Sequence, residues 1–186
     1  MQEDNHGFEH IFKTQFAVLC NVAFRITKNH KAAEDIVQDL FLKLWQNKEK
    51  FQLIDNYKGY LYRSVVNTSI DFLKRNKKII FLNSGGRELP YASNGNNLIE
   101  EKELELKIEA ALDNLPPKCK AIFVLSRYEE MKYREIAEYL QISIKTVENQ
   151  MGIALGKLRR ELQPYLTREF TTHLLHTQIA GSASEN

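Results

Sequence analysis

The chain has 186 residues, of which 43% are apolar and 27% are charged, with a net charge of +2. This length accommodates one domain or two small domains that have hydrophobic cores of their own. Apolar runs do not exceed about five residues, which excludes a membrane-spanning helix, and the nearly balanced charge excludes a uniformly basic nucleic-acid binder.

The first predicted helix runs from about Phe8 to Thr27, because apolar residues recur there at steps of three and four. The positions expected to be buried are Phe8, Ile11, Phe12, Phe16, Leu19 and Ala23. A second predicted helix runs from about Lys31 to Lys48 and has a nearly continuous apolar face. Its acidic outer face also carries the apolar Leu42, which indicates a partner-docking surface. A solvated amphipathic helix remains the simpler interpretation of the pattern.

Residues 51–58 are expected to form a loop, and Gly59 precedes a third predicted helix from about Tyr60 to Lys77. This helix has apolar residues on two sides and a polar stripe formed by Arg63, Asn67, Asp71, Lys74 and Lys78. Five basic residues and one acidic residue give the segment 61–80 a net charge of +4. A ladder of basic and amide groups suits contact with nucleic-acid phosphates, although a solvated charged face fits the same pattern.

The segment from Asn83 to Asn97 is rich in glycine, serine and asparagine and lacks any helical period, so a linker is predicted. Fifteen flexible residues average roughly 20 Å from end to end and reach at most about 50 Å. Two domains joined in this way can occupy DNA sites more than one helical turn apart, a turn being about 34 Å.

Beyond the linker, an acidic helix ends at Leu115, and two prolines introduce the next helix. Residues 132–158 then predict a helix-turn-helix, with a first helix from about Tyr133 to Leu140 and Ser143 capping the second. The inner face of the second helix is apolar and contains Val147, Met151, Ala154, Leu155 and Leu158. Its outer face contains Lys145, Glu148, Asn149, Gly152 and Gly156. That polar face suits a DNA major groove, although an ordinary helical hairpin is the alternative.

The sequence contains no glycine-rich phosphate loop, no HExxH and no nucleophile elbow, so a binding protein is expected rather than an enzyme, and no catalytic residue is assigned. His173 and His176 are only two ligands, so neither a metal nor another cofactor is expected. The polar N-terminus lacks the features of a secretory signal, which predicts a cytoplasmic protein.

Four segments follow one another in a distinctive order: AEDIVQDLFLKLWQN, GYLYRSVVNTSIDFLKRNKK, LDNLPPKCKAIFVLSRYEEMKYREIAEYLQISIKTVENQM and KLRREL. This order, together with the linker, resembles bacterial RNA polymerase sigma factors of the extracytoplasmic-function (ECF) subgroup over about Phe8 to Leu162. The resemblance implies an all-α fold of two small helical domains joined by a flexible linker, the second domain containing the helix-turn-helix. The implied boundaries are 1–80 for the region 2-like domain, 81–98 for the linker, 99–166 for the region 4-like domain and 167–186 for the tail.

The resemblance also implies three functional surfaces. The surface that docks on core RNA polymerase would contain Asp35, Gln38, Asp39, Leu42 and Trp45. The surface that melts and reads the −10 promoter element would contain Tyr57, Tyr60, Arg63, Asn67, Lys74, Arg75 and Lys78, with Asn67 directed at a flipped-out base. The surface that reads the −35 element would contain Ser143, Lys145, Thr146, Glu148, Asn149, Gln150 and Lys157. The implied partners are the clamp helices and flap of the polymerase, promoter DNA and an anti-sigma factor.

The helix-turn-helix departs from the family pattern at the turn residue Gln141, at Lys132 and at the two outer-face glycines, Gly152 and Gly156. Its role is therefore better defined than its individual base contacts. The alternative function is a stand-alone helix-turn-helix regulator with a helical sensor or dimerisation domain. A sensor has no need of the basic stripe between Arg63 and Lys78, which favours the sigma factor.

Overall fold

The computed structural model describes residues 3–47, 51, 54–83 and 100–163, and for 3–6, 77–83 and 100–105 only the backbone. The extended elements in these ranges are all α-helices, and the described residues contain no strand, as the sequence predicts. The helices are α1 (Glu3–Thr27), α2 (His30–Gln46), α3 (Tyr57–Asn83), α4 (Glu100–Asp113), α5 (Pro117–Arg127), α6 (Tyr133–Leu140) and α7 (Ile144–Leu162). Among the described residues, no helix is long and apolar enough to cross a membrane.

The chain divides into two compact units. The described residues of the first are those up to Asn83 together with 116–154, and those of the second are 100–115 and 155–163. The first unit therefore contains α1, α2 and α3 as well as α5, α6 and the beginning of α7. The predicted linker and tail lie mostly outside the described residues, at 84–99 and 164–186, so those domain boundaries stay predictions.

The core of the first unit begins with three helices whose apolar faces meet. Leu19, Val22 and Ile26 of α1 are completely buried, as are Leu61 and Val65 of α3. The turn between α1 and α2 is closed by Asn29, whose side chain accepts a hydrogen bond from the amide of Ala32 at 2.9 Å. This asparagine caps α2 and fixes the angle at which the chain turns back.

The predicted buried stripe of α1 is wrong at Phe12 and only partly buried at Phe8, Ile11 and Phe16. Phe12 is 39% exposed, although Leu19 and Ala23 on the same stripe are completely buried. The Phe12 ring lies edge-on to the ring of Phe41, with the centroids 5.0 Å apart, and so only part of it is covered. The helix also begins at Glu3, five residues before the predicted start.

Helix α3 begins three residues before its predicted start at Tyr60. The side-chain oxygen of Asn56 accepts a hydrogen bond from the amide of Gly59 at 2.8 Å and so caps the helix. A Cβ atom at Gly59 would come within 3.0 Å of that oxygen, so glycine allows this close cap. The predicted loop is therefore shorter, because Tyr57 and Lys58 already belong to the helix.

The buried residues that the structure describes in the second unit are all apolar. Ala111 and Leu112 of α4 are buried, as are Leu115 and Leu158. The amide of the Asn114 side chain donates to Glu161 Oε2 at 3.3 Å within this unit.

Candidate nucleic-acid interface

Helices α6 and α7 form the predicted helix-turn-helix, and α6 has the predicted bounds. Ile136 and Ala137 of α6 are buried, and so are Val147 and Met151 of α7. These residues form the apolar side of the motif, and the small Ala137 allows the helices to approach closely.

Local hydrogen bonds hold both helix starts and the turn. Ser143 Oγ accepts the amide of Thr146 at 3.0 Å, which confirms the predicted cap of α7. The carboxylate of Glu135 accepts the amide of Lys132 at 2.8 Å, which compensates for the missing capping hydroxyl at α6. Gln141 adopts the left-handed conformation with φ 53°, where glycine or asparagine is favoured.

The outer face of α7 presents the polar side chains expected of a DNA-reading helix. Lys145, Glu148 and Asn149 are exposed, and Lys145 Nζ lies 3.1 Å from Glu148 Oε2. Gly152 and Gly156 are exposed as well, and no atom lies within 4 Å of a Cβ added at either glycine. DNA could therefore approach the α7 backbone closely.

Three other residues of the predicted −35 surface are only partly exposed. Gln150 Oε1 accepts a hydrogen bond from Cys119 Sγ at 3.1 Å, which directs this amide towards α5. The hydroxyl of Thr146 lies 2.8 Å from that of Ser143, so it supports the cap. Lys157 is partly buried near the end of α7. The DNA contacts of these three residues stay predictions. Gln150 would have to break its hydrogen bond with Cys119 before its side-chain oxygen could bind a base.

The predicted −10 surface lies along α3. Asn67, Lys74 and Arg75 are exposed, and Lys74 Nζ forms an ion pair of 3.0 Å with Asp71. Tyr60, also of this predicted surface, is 41% exposed and Tyr57 is partly buried, whereas the side chain of Lys78 lies outside the described residues. Arg63 is partly buried and donates a hydrogen bond to Gln141 Oε1.

The predicted polymerase-docking residues all lie on the exposed side of α2, namely Asp35, Gln38, Asp39, Leu42 and Trp45. Leu42 is 55% exposed, which confirms that this leucine points outward. Trp45 is 46% exposed and its ring meets that of Phe8, with the centroids 5.3 Å apart. Phe8, Glu9, Phe12 and Trp45 line a shallow groove of about 350 Å³. This combination of apolar and acidic groups is suited to binding another protein.

Sequence reasoning missed a set of contacts within the first unit. The rings of Tyr62 and Tyr139 pack with centroids 5.7 Å apart, and the guanidinium of Arg25 lies 4.0 Å from the ring centroid of Tyr128. The partners are about eighty to a hundred residues apart in the chain, so no helical period could reveal them.

We expect the Tyr62 contact to make stability depend on alkaline pH. Burial raises the pKa of the Tyr62 phenol to about 12, with smaller contributions from Glu129 and Tyr139. Because this pKa is above the unfolded value of about 10, the stabilisation is complete below that pH and is lost as the pH rises towards 12. Denaturant unfolding across this range should show a loss of roughly 2 to 3 kcal/mol that Tyr62→Phe lacks. Equal pH dependence in both proteins would contradict the assignment.

No cluster of three or more histidine, cysteine or carboxylate side chains suited to a metal ion occurs in the residues that the structure describes. His173 and His176 lie outside those residues. Cys20 and Cys119 are free thiols, and burial raises the pKa of Cys20, with Glu34 adding to the effect.

Comparison with known proteins gives the chain a family. The model for Sigma-70 region 2 matches residues 14–79, and that for Sigma-70 region 4 matches residues 105–158. The RNA polymerase sigma factor SigV of Bacillus subtilis is 32% identical over 141 residues, which cover 76% of this chain and 82% of SigV. The chain belongs to the ECF family of RNA polymerase sigma factors.

Other similar proteins support the assignment of this chain to the ECF sigma factors. The ECF RNA polymerase sigma factor SigW of Bacillus subtilis is 27% identical over 163 residues, which cover 82% of this chain and 86% of SigW. The fold resembles that of the sigma factor RpoE from Bartonella quintana, solved with the anti-sigma factor NepR, at a TM-score of 0.61 and 19% identity. That match covers 84% of this chain and 97% of RpoE. This ECF sigma factor therefore directs transcription initiation. The alternative function, a stand-alone helix-turn-helix regulator, is not favoured.

Proposed function

We propose that this ECF sigma factor binds core RNA polymerase in the cytoplasm and directs it to promoters by reading the −10 and −35 elements with separate surfaces. The observation that carries the proposal is the occurrence of both sigma regions in one chain, at 14–79 and 105–158. The domain limits are proposed as 1–80 and 99–166, with 81–98 as the linker that separates the two readers. The mechanism is recognition and strand melting, with no covalent step.

The −10 element is assigned to α3 and the residues just before it. A melted strand exposes base edges and faces, which amide and aromatic side chains can bind, while basic groups hold its phosphates. Exposed Asn67 and Tyr60 supply the first kind of contact, and Lys74 and Arg75 supply the second. Arg63, Tyr57 and Lys78 complete this proposed surface.

The −35 element is assigned to the outer face of α7. Asn149 can pair with adenine in the major groove, and Glu148 can accept a hydrogen bond from cytosine. Lys145 and Ser143 lie at the start of the helix, where contacts to phosphate and base edges are usual.

We expect Gly152→Ala to have opposite effects on the stability of α7 and on its binding to DNA. Alanine should stabilise the helix by about 1 kcal/mol, because it lowers the conformational entropy of the unfolded chain and meets no atom within 4 Å. Its methyl group should nevertheless weaken promoter binding by holding DNA away from the backbone. Thermal unfolding and promoter binding by the holoenzyme measure the two effects. If promoter binding is unchanged, close approach of DNA at Gly152 is wrong.

The proposed partners are the clamp helices and flap of the polymerase, with α2 docking on the clamp helices. The structural relative RpoE was solved with an anti-sigma factor. We therefore include an anti-sigma factor among the partners of this chain.

Transcription with purified core polymerase on fragmented genomic DNA tests the proposal. A sigma factor should give promoter-specific transcripts with the core enzyme and should bind duplex DNA weakly without it. A stand-alone regulator should instead bind duplex DNA unaided and leave core polymerase unable to initiate.

A further inference from the structure

The exposed face of α7 changes from polar to apolar along the helix. Lys145, Glu148 and Asn149 are exposed in its first two turns. In the next turn Ile153 is 47% exposed, and the sequence analysis gave this residue no role. A single exposed apolar side chain is common on protein surfaces, so the function of Ile153 depends on what the residues around it bind.

Ile153 lies on the side of α7 that is assigned to the −35 element. It follows Asn149 by four residues, so the two side chains are neighbours one turn apart on the helix surface. Gly152, the residue before it, has no atom within 4 Å of an added Cβ. A DNA groove that approaches the backbone at Gly152 therefore also reaches the side chain of Ile153.

The neighbouring amide of Gln150 is already engaged. Its side-chain oxygen accepts a hydrogen bond at 3.1 Å from the thiol of Cys119, which is buried. Bidentate pairing with adenine requires the oxygen and the nitrogen of an amide together, so Gln150 does not make it in this orientation. Met151 is buried and Gly152 has no side chain. In this turn Ile153 is thus the exposed side chain that can meet a base.

The charge of α7 favours DNA as the partner of this face. Residues 143–160 contain four basic residues and one acidic residue, a net charge of +3. Lys145 lies at the start of the helix and Arg159 and Arg160 lie in its last turn, so basic groups occur on both sides of Ile153. Negative phosphates flank a DNA groove in the same way. Within the major groove, the apolar group that a base offers is the methyl group of thymine.

We propose that Ile153 reads the methyl group of a thymine in the −35 element, so that α7 combines hydrogen bonds from its first two turns with an apolar contact from the third. This rests on the proposed function, because it requires the outer face of α7 to lie in the major groove. One helical turn rises about 5.4 Å and base pairs are about 3.4 Å apart. The thymine, on either strand, therefore lies about one to two base pairs from the pair that Asn149 contacts.

Replacement of thymine by deoxyuridine tests the contact, because it removes the methyl group and keeps every hydrogen bond of the base pair. Holoenzyme reconstituted from core polymerase first selects promoters from a duplex library that is randomised across the −35 region. Each thymine of a selected −35 element is then replaced singly, and the affinity of the holoenzyme is measured. At the thymine that Ile153 contacts, affinity should fall about fourfold, as expected for one methyl group that is no longer buried.

Variants of Ile153 assign this effect to one side chain. With Ile153→Ala, thymine and deoxyuridine should be bound equally at that position, whereas Ile153→Val keeps a branched apolar side chain and should retain a difference. Ile144→Ala is the matched control, because Ile144 is 42% exposed on the same helix, nine residues earlier and so on the opposite face. It should leave the fall at about fourfold. Circular dichroism checks that each variant folds.

The outcomes separate this inference from the proposed function. If no thymine is sensitive to loss of its methyl group, or if the sensitivity persists in Ile153→Ala, Ile153 does not read thymine. Selection with Asn149→Ala locates the base pair whose preference that residue sets. A sensitive thymine more than about two base pairs from it also contradicts the inference. If the unchanged holoenzyme selects no −35 sequence at all, the assignment of α7 to the −35 element fails instead.

Discussion

Leu42→Asp is expected to abolish most transcription while leaving the fold intact. Leu42 is 55% exposed on the acidic side of α2, so its replacement removes little buried area. If α2 docks on polymerase, aspartate places a desolvated charge in the centre of that interface. Affinity for core polymerase should fall by more than about 2 kcal/mol, which is roughly thirtyfold in dissociation constant. Fluorescence binding of labelled core polymerase measures the change.

A second exposed leucine provides the control for this substitution. Leu106 of α4 is 52% exposed, and Leu106→Asp introduces the same charge at a similar exposure outside the proposed docking surface. Its affinity for core polymerase should match that of the unchanged protein. If both variants lose the same affinity for core polymerase, the added charge itself is the cause. If both retain full affinity, α2 is not the docking surface.

The parts of the fold that depend on nearby residues are predictable from the sequence. The bounds of α6 follow from the helical spacing of Ile136, Ala137 and Leu140. Ser143 marks the start of α7, because its hydroxyl can cap a helix. The start of α3 is less predictable. Gly59 suggests a break, but the Asn56 cap makes the same glycine part of the helix. A rule based on neighbouring residues therefore predicts where a helix begins when the side chains there allow one conformation. It fails when they allow two, as Gly59 does at the start of α3.

The contacts that hold α3 against α6 could not be predicted in the same way. Tyr62 is one of several aromatic residues in its segment, and its pairing with Tyr139 depends on how two distant parts of the chain meet. Outward-facing Leu42 was predictable, because it breaks the polar pattern of its helix face. The exposure of Phe12 was not predictable, since it depends on how completely the neighbouring residues cover a side chain of the predicted buried stripe.

Asn67→Ala is expected to impair promoter opening more than binding of holoenzyme to closed duplex DNA. Asn67 is exposed on α3, and its amide can make two hydrogen bonds to the edge of an unpaired base. Those base edges become available only after the strands separate, so the substitution should destabilise the open complex by about 1 to 3 kcal/mol. Permanganate reactivity of unpaired thymines measures opening, and gel mobility at low temperature measures closed-complex binding.

Asn76→Ala provides a matched control, because it removes the same amide from α3 nine residues further along, on the opposite face of the helix. It should leave the open complex unchanged, since a strand that follows Asn67 and Lys74 does not reach that face. A promoter that is already unpaired over the −10 element should retain the Asn67→Ala defect, because the lost hydrogen bonds act after melting. If pre-melting rescues the variant fully, Asn67 assists strand separation and does not bind the flipped base.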